Sequence, residues 1–326
     1  MAEYKGIKGF KVQYLSADPS NPIIGQTWYN STSKDLKYTG VTTTSSWATG
    51  NNINTARNVF GGAGTQTAGL GFGGEIPGSN ATGATEEYDG NSWTTVNSLN
   101  TARRFLKGGG IQTAGLATGG VSPSPTSPTA TEEYDGNSWA NANSNNTARV
   151  YYGATGIQTA AIIFGGNVPP LTGATEEYDG NSWTSSNPLN TARYFASGAG
   201  IQTAGLAFGG ETPGVTAATE EYDGTSWANS NNLNTARSLI GNAGTQTAAL
   251  AFGGYTAPTN LGATEEYDGI SWATSPASLN TAREAPSGAG TQASALAFGG
   301  SAPPITAATE EWTGAGAGLT KTVTVS

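Results

Sequence analysis

The stretch Thr309–Gly314 reads Thr-Glu-Glu-Trp-Thr-Gly, and it differs from five earlier copies of the same motif. The earlier copies read Thr-Glu-Glu-Tyr-Asp-Gly, and each continues with Asn, Thr or Ile and then Ser-Trp. They lie at 85–90, 131–136, 175–180, 219–224 and 264–269. The last copy lacks the aspartate and the Ser-Trp that should follow it. Where the missing tryptophan lies decides how the repeated units join, and therefore decides the fold.

Two further motifs recur with the same period. Thr-Ala-Arg occurs six times, and its arginines are 46, 46, 44, 44 and 46 residues apart. These arginines are Arg57, Arg103, Arg149, Arg193, Arg237 and Arg283. Further along each unit comes Gln-Thr-Ala, or Gln-Ala-Ser in the last copy. A short apolar run that ends in Gly-Gly follows directly. Self-similarity at a fixed period of this length is typical of repeat architectures.

The residues between the motifs favour strands and turns. Charged residues make up only 11% of the chain, and no long segment has apolar residues at helical spacing. Short apolar runs alternate with stretches rich in Gly, Ser, Thr and Asn, which is the pattern of an all-β chain. Eight Trp and 13 Tyr argue against a disordered polar chain.

Each unit is predicted to contain four short strands, named a to d. Strand a follows Thr-Ala-Arg, as at 104–106, and strand b is the run that ends in Gly-Gly, as at 202–210. Strand c ends at the Tyr of the glutamate motif, as at 174–178, and strand d begins at Ser-Trp, as at 182–183. Asp-Gly-Asn forms a tight turn between strands c and d, because Gly adopts positive φ readily. A unit of this size with four antiparallel strands corresponds to one blade of a β-propeller.

The order of these motifs resembles the kelch repeat. Gly-Gly ends strand b, Tyr-Asp ends strand c, Trp opens strand d and Arg precedes the next strand a, over residues 46–314. The content of Ala, Gly and Thr is higher than is usual for that family. The resemblance implies a β-propeller but no particular function, because one fold serves many functions.

Counting strands places the missing tryptophan at the N-terminus. Strands a, b and c each occur six times, whereas only five tryptophans open a strand d after a glutamate motif. These are Trp93, Trp139, Trp183, Trp227 and Trp272. Trp47 precedes the first Thr-Ala-Arg and supplies the sixth. We therefore predict an all-β, six-bladed kelch-like β-propeller of four-stranded antiparallel blades, closed by an N-terminal strand in the last blade.

A seven-bladed ring is the alternative, because the segments beginning at Gly25 and Asp35 also resemble strands. The alternating tail 319–325 could pair with that N-terminal hairpin, either outside the ring or within a seventh blade. The predicted domains are an attachment segment with a β-hairpin at 1–45, the propeller at 46–314 and a C-terminal strand at 315–326.

Several kinds of chemistry are disfavoured by composition. The chain has neither His nor Cys, so a Ser-His-Asp triad, a cysteine nucleophile and a histidine-based zinc site are excluded. We expect no cofactor and no metal. The paired glutamates of strand c are adjacent and point to opposite faces of a strand, so they cannot flank one glycosidic bond together. A polysaccharide-cleaving propeller is therefore the least favoured reading.

Charge and hydropathy limit the partners. The net charge of −9 disfavours nucleic acid as a partner, because phosphate binding needs a basic surface. No apolar run approaches the roughly 20 residues of a membrane span, so membrane insertion is not expected.

Residues that recur in every unit are assigned structural roles. The six arginines are expected to meet the first glutamate of strand c between blades. The six tryptophans that open strand d, Trp47 among them, are expected in the core between blades.

A partner-specific site should lie where the repeat varies. The b–c loops and the d–a connections share one face of such a propeller, and both differ from unit to unit. A rigid scaffold with variable loops on one face is a common binding surface. The predicted binding residues are Arg104, Tyr194, Tyr255 and Glu284. The alternative is that these loops vary because nothing constrains them.

The N-terminal segment suggests a biological setting. Gly25-Gln-Thr-Trp-Tyr-Asn, Asp35-Leu-Lys-Tyr-Thr-Gly and Trp47 resemble a hairpin module of bacteriophage tail fibres and other appendages. The resemblance implies a non-enzymatic virion protein: a tail fibre, a receptor-binding protein or a capsid decoration. Its N-terminal segment would dock on other virion proteins, and its propeller would bind a polysaccharide or protein of the host surface. A homo-oligomer is compatible with this interpretation. The second hypothesis is an extracellular lectin or adhesin subunit of a microbe.

Overall fold

The computed structural model describes residues 12–20, 26–41, 44–123, 129–168, 170–316 and 318–322. Parts of the predicted attachment segment (1–11 and 21–25), of the second b–c loop (124–128) and of the C-terminal strand (323–326) lie outside the described residues. The chain divides into two compact units, Ser46–Trp312 and a terminal unit of Met1–Ser45 with Thr313–Ser326. The described residues form strands and turns, and they include no helix that could span a membrane.

The strands are short, and most have three to five residues. In chain order they are β1 (Gln13–Leu15), β2 (Thr27–Asn30), β3 (Asp35–Val41), β4 (Ser46–Gly50), β5 (Gly61–Thr65), β6 (Ala68–Phe72), β7 (Glu75–Ile76), β8 (Asn80–Ala81), β9 (Thr85–Tyr88), β10 (Trp93–Val96), β11 (Lys107–Ile111), β12 (Ala114–Thr118), β13 (Thr131–Tyr134), β14 (Trp139–Ala142), β15 (Gly153–Ile157), β16 (Ala160–Phe164), β17 (Thr175–Tyr178), β18 (Trp183–Ser186), β19 (Ser197–Ile201), β20 (Ala204–Phe208), β21 (Thr219–Tyr222), β22 (Trp227–Ser230), β23 (Gly241–Thr245), β24 (Ala248–Phe252), β25 (Tyr255–Thr256), β26 (Thr259–Asn260), β27 (Thr264–Tyr267), β28 (Trp272–Thr274), β29 (Ser287–Gly290), β30 (Ser294–Phe298), β31 (Thr309–Thr313) and β32 (Gly318–Thr322).

The terminal unit contains one four-stranded sheet in the order β1-β2-β3-β32. The C-terminal strand β32 pairs with β3 of the N-terminal hairpin, whereas β1 runs parallel to β2. Trp28 is fully buried, and its indole N–H donates to Asp18. Hydrogen bonds from Lys37, Asn30 and Trp28 lower the pKa of the Asp18 carboxyl to about 2. These bonds tie the segment before the hairpin to the sheet.

The described residues of the larger unit form six four-stranded sheets. Sheet 1 is β5-β6-β9-β10, sheet 2 is β11-β12-β13-β14, sheet 3 is β15-β16-β17-β18, sheet 4 is β19-β20-β21-β22, sheet 5 is β23-β24-β27-β28 and sheet 6 is β29-β30-β31-β4. Within each sheet we name the strands a to d in that order. Sheets 1 to 5 are antiparallel throughout. Repeated antiparallel sheets of this size fit the blades of a β-propeller.

Sheet 6 answers the question raised by the last glutamate motif. Its fourth strand is β4, which lies beside β31 although more than 250 residues separate them in the chain. Trp47 of β4 is buried, and its ring centroid lies 5.2 Å from that of Trp312. The tryptophan absent from the end of the repeat array is therefore supplied from its beginning.

Strand a begins later than the sequence predicts. The prediction placed it at 104–106 in sheet 2, but β11 starts at Lys107. Strand a consists mainly of Gly and Ala, which have weak strand propensity. The neighbouring sheet explains why glycine is needed in strand a of sheet 2. A Cβ on Gly109 would be 2.4 Å from the carbonyl oxygen of Gly156. At this position the a strands of sheets 2 and 3 approach so closely that only glycine fits. Such contacts join consecutive sheets, and they also join sheet 6 to sheet 1.

The tryptophan of strand d links each sheet to the preceding one. The indole N–H of Trp183 in sheet 3 donates to the hydroxyl of Thr131 in sheet 2, at 3.1 Å. The same bond joins Trp93 to Thr309, Trp139 to Thr85, Trp227 to Thr175, Trp272 to Thr219 and Trp47 to Thr264. The set includes a bond from sheet 1 to sheet 6 and another from sheet 6 to sheet 5.

The repeat arginines form buried ion pairs. Arg193 lies 2.9 Å from Glu220, and both side chains are at most 1% exposed. The equivalent pairs are Arg57–Glu86, Arg103–Glu132, Arg149–Glu176, Arg237–Glu265 and Arg283–Glu310. Burial lowers the pKa of each guanidinium, and the charge of the partner carboxylate partly offsets that effect. The expectation that these pairs lie between blades is wrong. Each arginine stands on the connection into the sheet whose own strand c carries its glutamate.

Candidate functional site

The two sets of variable segments lie at the same end of the sheets. The residue after each Thr-Ala-Arg forms a backbone bridge with the first residue of the b–c loop in its own sheet. The bridged pairs are Asn58–Glu75, Arg104–Val121, Val150–Asn167, Tyr194–Glu211, Ser238–Tyr255 and Glu284–Ser301. We call this end of the larger unit the loop end.

Two of the four predicted binding residues are held by neighbouring carboxylates. Arg104 in sheet 2 forms an ion pair with Glu75, which belongs to the b–c loop of sheet 1. The hydroxyl of Tyr194 donates to Glu211 at 2.6 Å, and Glu211 also accepts a hydrogen bond from Ser238. These contacts give Arg104 and Tyr194 fixed positions at the loop end. The same contacts occupy part of the hydrogen-bonding capacity of the two side chains.

The other two predicted residues stand in different surroundings. Tyr255 opens the short hairpin β25–β26 in the b–c loop of sheet 5. Glu284 is half-buried, burial raises the pKa of its carboxyl, and that carboxyl bonds no other described residue. In the described part of the chain, no hydrogen bond or ion pair joins any two of the four. They surround the loop end on four sheets rather than forming one cluster.

A pocket of about 160 Å³ lies beside Arg104. It is lined by Ser79, Asn80, Ala81, Arg104, Val121, Ser122 and Pro123. The b–c loops of sheets 1 and 2 form its walls, and its lining combines a cation, amide and hydroxyl groups, and apolar atoms. Such a lining suits a small polar group on a larger ligand.

Sequence reasoning missed an apolar collar at the centre of the loop end. It consists of the second residue after each Thr-Ala-Arg, and all six of these residues line one pocket. The collar residues are Val59, Phe105, Tyr151, Phe195, Leu239 and Ala285. Each has a positive φ, from 46° at Val59 to 63° at Tyr151. Branched and bulky residues rarely adopt that conformation, and glycine would adopt it without strain. Strain held at equivalent positions in all six units suggests that the side chains themselves are needed there.

The collar has aromatic side chains on one side and aliphatic side chains on the other. Sheets 2 to 4 contribute aromatic rings, and Tyr151 lies 4.7 Å from Phe105 and 4.6 Å from Phe195 between ring centroids. The remaining positions are aliphatic. The backbone N–H of Phe105 donates to the carbonyl oxygen of Val59, at 2.7 Å, so the collar also joins adjacent sheets. One side of the pocket therefore offers aromatic faces and the other does not.

A lysine lies next to the collar and breaks the repeat. Lys107 is the first residue of its strand a, where the other sheets have Gly61, Gly153, Ser197, Gly241 and Ser287. In sheet 1, a Cβ on Gly61 would lie 2.1 Å from the ring of Phe72, its partner in strand b. In sheet 2 the residue paired with Lys107 is Thr118, where every other sheet has Phe. The two exchanges occur together, and the smaller threonine leaves space for the lysine.

No described residue supplies a counter-charge to the ammonium group of Lys107. Lys107 is half-buried, and its ammonium group has neither a hydrogen bond nor an ion pair with any other described residue. Burial lowers its pKa to about 8. Lys107 lines the collar pocket and also a second cavity of about 40 Å³, together with Asn242 and Ser287. That cavity has room for a few water molecules or a small ion.

The stability of the wild type is expected to depend on pH through Lys107, and we expect the Lys107→Met variant to lack that dependence. The folded-state pKa lies below the ordinary value, so between about pH 8 and pH 10.5 the unfolded chain binds more protons than the folded one. Wild-type stability should therefore rise with pH relative to the variant, by on the order of 2 kcal/mol across that range. Urea unfolding of both proteins at pH 7.5, 8.5 and 9.5 measures the difference. A difference that does not change with pH would show that the amine is solvated normally.

In the described residues no group of three or more acidic side chains is placed to hold a metal ion. A scan against protein-family models found no match to this chain, and a search of curated proteins found no relative.

Proposed function

We propose that Ser46–Trp312 forms a closed six-bladed β-propeller, resembling the kelch type, that acts as a non-enzymatic binding scaffold. The bonds from Trp93 to Thr309 and from Trp47 to Thr264 support ring closure, because they repeat at the chain ends the contact that joins internal sheets. The a-strand contact between sheets 6 and 1 supports the same arrangement. Side-chain packing between blades, rather than a continuous sheet, would close such a ring.

The contrast between constant and variable residues carries the binding proposal. Arginines, glutamates and tryptophans of the six sheets make equivalent buried contacts in each unit. The differences gather at the loop end, in the bridged pairs, in the pocket beside Arg104 and in the collar. A rigid repeated frame that varies at one end is a common design for recognition.

The biological setting follows from the N-terminal resemblance. We propose a bacteriophage virion protein whose terminal unit attaches to the particle and whose loop end meets a polysaccharide or protein of the host surface. The net charge of −9 favours a particle surface that repels itself and stays dispersed. A lectin or adhesin subunit of a microbe would use the same loop end, and the experiment below separates the two.

The test is binding of the full-length, fluorescently labelled protein to a panel of bacterial strains and purified surface polysaccharides. We expect saturable binding to a small subset, weakened at least tenfold by the double variant Arg104→Ala, Tyr194→Ala. The matched control is Ile157→Ala, an exposed residue at the far end of β15, which should bind as the wild type does. Binding that the double variant leaves unchanged, or that Ile157→Ala weakens as much, would contradict the assignment to the loop end.

The other outcomes distinguish the remaining functions. Binding to none of the strains or glycans would contradict host recognition and favour a particle component without a receptor. Agglutination of cells of the strain that encodes the protein would favour the lectin or adhesin. Release of reducing sugar from a bound polysaccharide would establish the cleaving propeller.

A further inference from the structure

We propose that Lys107 is the centre of a site for one carboxylate group, beside the apolar collar. The inference concerns a ligand chemistry and does not depend on the virion role. It rests on the cavity, on the paired exchange at positions 107 and 118, and on the absence of a partner for the amine among the described residues.

The first step is the cost of an unpaired cation. A charged group partly removed from water is unfavourable unless an opposite charge or hydrogen bonds compensate it. Lys107 has no such compensation among the described residues, and burial holds its pKa near 8. A glycine or serine occupies this position in the other five sheets, so the fold does not require a lysine there. An anion that binds in the cavity would supply the missing charge.

The second step is the size and charge of that anion. The cavity of about 40 Å³ admits only a small group. A single lysine balances a single negative charge, whereas a sulfate or a phosphate dianion would leave excess charge in a partly buried place. Ser287 lines the same cavity, and its hydroxyl has no hydrogen bond to any described residue. An ammonium and a hydroxyl can donate to the two oxygens of one carboxylate.

The third step is the source of the carboxylate. A free small acid would fill the cavity alone. The acidic sugar of a glycan would place its carboxylate at Lys107 and its ring in the collar, against the aromatic side chains of Phe105, Tyr151 and Phe195. The collar is narrow, so its side chains would have to turn outwards to admit a sugar ring. Both sources share the carboxylate chemistry, and the choice of probes separates them.

The experiment is calorimetric titration of the full-length protein with sodium acetate, sodium glucuronate and sodium sulfate. It is carried out at pH 7 and constant ionic strength, in a buffer without carboxylates. We expect one site per chain for acetate or glucuronate, and at least tenfold weaker binding to Lys107→Met. Glucuronate binding more tightly than acetate assigns the site to an acidic sugar, and the reverse order assigns it to a free acid. Sulfate binding as tightly as either carboxylate, or no binding of any probe, would overturn the proposal.

A second variant separates loss of the site from loss of the fold. The triple change Lys107→Ser, Thr118→Phe and Tyr152→Phe copies into sheets 2 and 3 a set already present where sheet 6 meets sheet 1. That set is Ser287, Phe298 and Phe60, in which the two phenylalanine rings lie 5.5 Å apart. We expect the triple variant to melt no lower than the wild type and to bind no carboxylate. Binding equal to the wild type would overturn the role of Lys107. Neither variant alters Arg104 or Tyr194, so a failure here is distinct from a failure of host-surface binding.

Discussion

Replacing Arg193 by Met is expected to lower the free energy of unfolding by about 3–5 kcal/mol. Arg193 and Glu220 are both buried, and the methionine leaves the carboxylate without its cation. Glu220 would keep the backbone N–H groups of Asn190 and Thr191, which are insufficient for a buried charge. Urea unfolding monitored by tryptophan fluorescence measures the loss.

Two further variants test the reason for that loss. Adding Glu220→Gln to Arg193→Met should restore a large part of the stability, because the uncompensated charge is then gone. The matched control is Arg104→Met, which breaks an ion pair that is partly exposed, and there we expect a loss of about 1 kcal/mol or less. Equal losses for Arg193→Met and Arg104→Met would show that burial of the pair is not what matters.

Replacing Trp47 by Ala should destabilise the larger unit by about 3–5 kcal/mol, as much as Trp183→Ala does. Trp47 belongs to the strand farthest from the rest of sheet 6 in the sequence, yet it packs on Trp312 and lies 5.0 Å from Phe252 between ring centroids. Its indole also donates to Thr264, as the indole of Trp183 donates to Thr131. Thermal and urea unfolding of the two variants compares the chain ends with an internal sheet.

The conservative variant Trp47→Phe is the control. It retains a buried aromatic ring but removes the donor to Thr264 and part of the ring volume, so we expect a loss of about 1–2 kcal/mol. If Trp47→Ala cost less than 1 kcal/mol while Trp183→Ala cost several, β4 would be a loosely attached strand. The proposed ring closure would then be wrong.

The sequence was informative wherever the repeat is constant. Six copies of each motif predicted four-stranded antiparallel sheets, and the count of tryptophans predicted that Trp47 joins the last sheet. These inferences work because the tryptophans and glutamates make equivalent contacts in every unit, so each copy repeats the same physical requirement. The end at which the variable loops gather could also be inferred, since alternating strand direction alone fixes it.

The collar and strand a could not be inferred in the same way. Phe105 and Leu106 read as a strand because aromatic and branched residues favour strands, whereas the Gly-rich segment after them does not. Close approach of neighbouring a strands overrides that propensity, and it is a tertiary effect that no single unit encodes. Lys107 was detectable in principle: aligning the six units places one lysine among glycines and serines, opposite the one threonine among phenylalanines.

The pairing of β4 with β31 has a consequence for how the chain acquires its structure. The six units are so alike that the strand d of one could occupy the place of another with nearly the same contacts. Only sheet 6 ends in Trp312 and lacks a following strand of its own, so only there does a vacancy remain for β4. Until β4 fills it, β31 has an open edge that β4 of another copy matches equally well. We therefore expect a higher protein concentration during folding to favour exchange of β4 between two copies over pairing of β4 with β31 of its own chain.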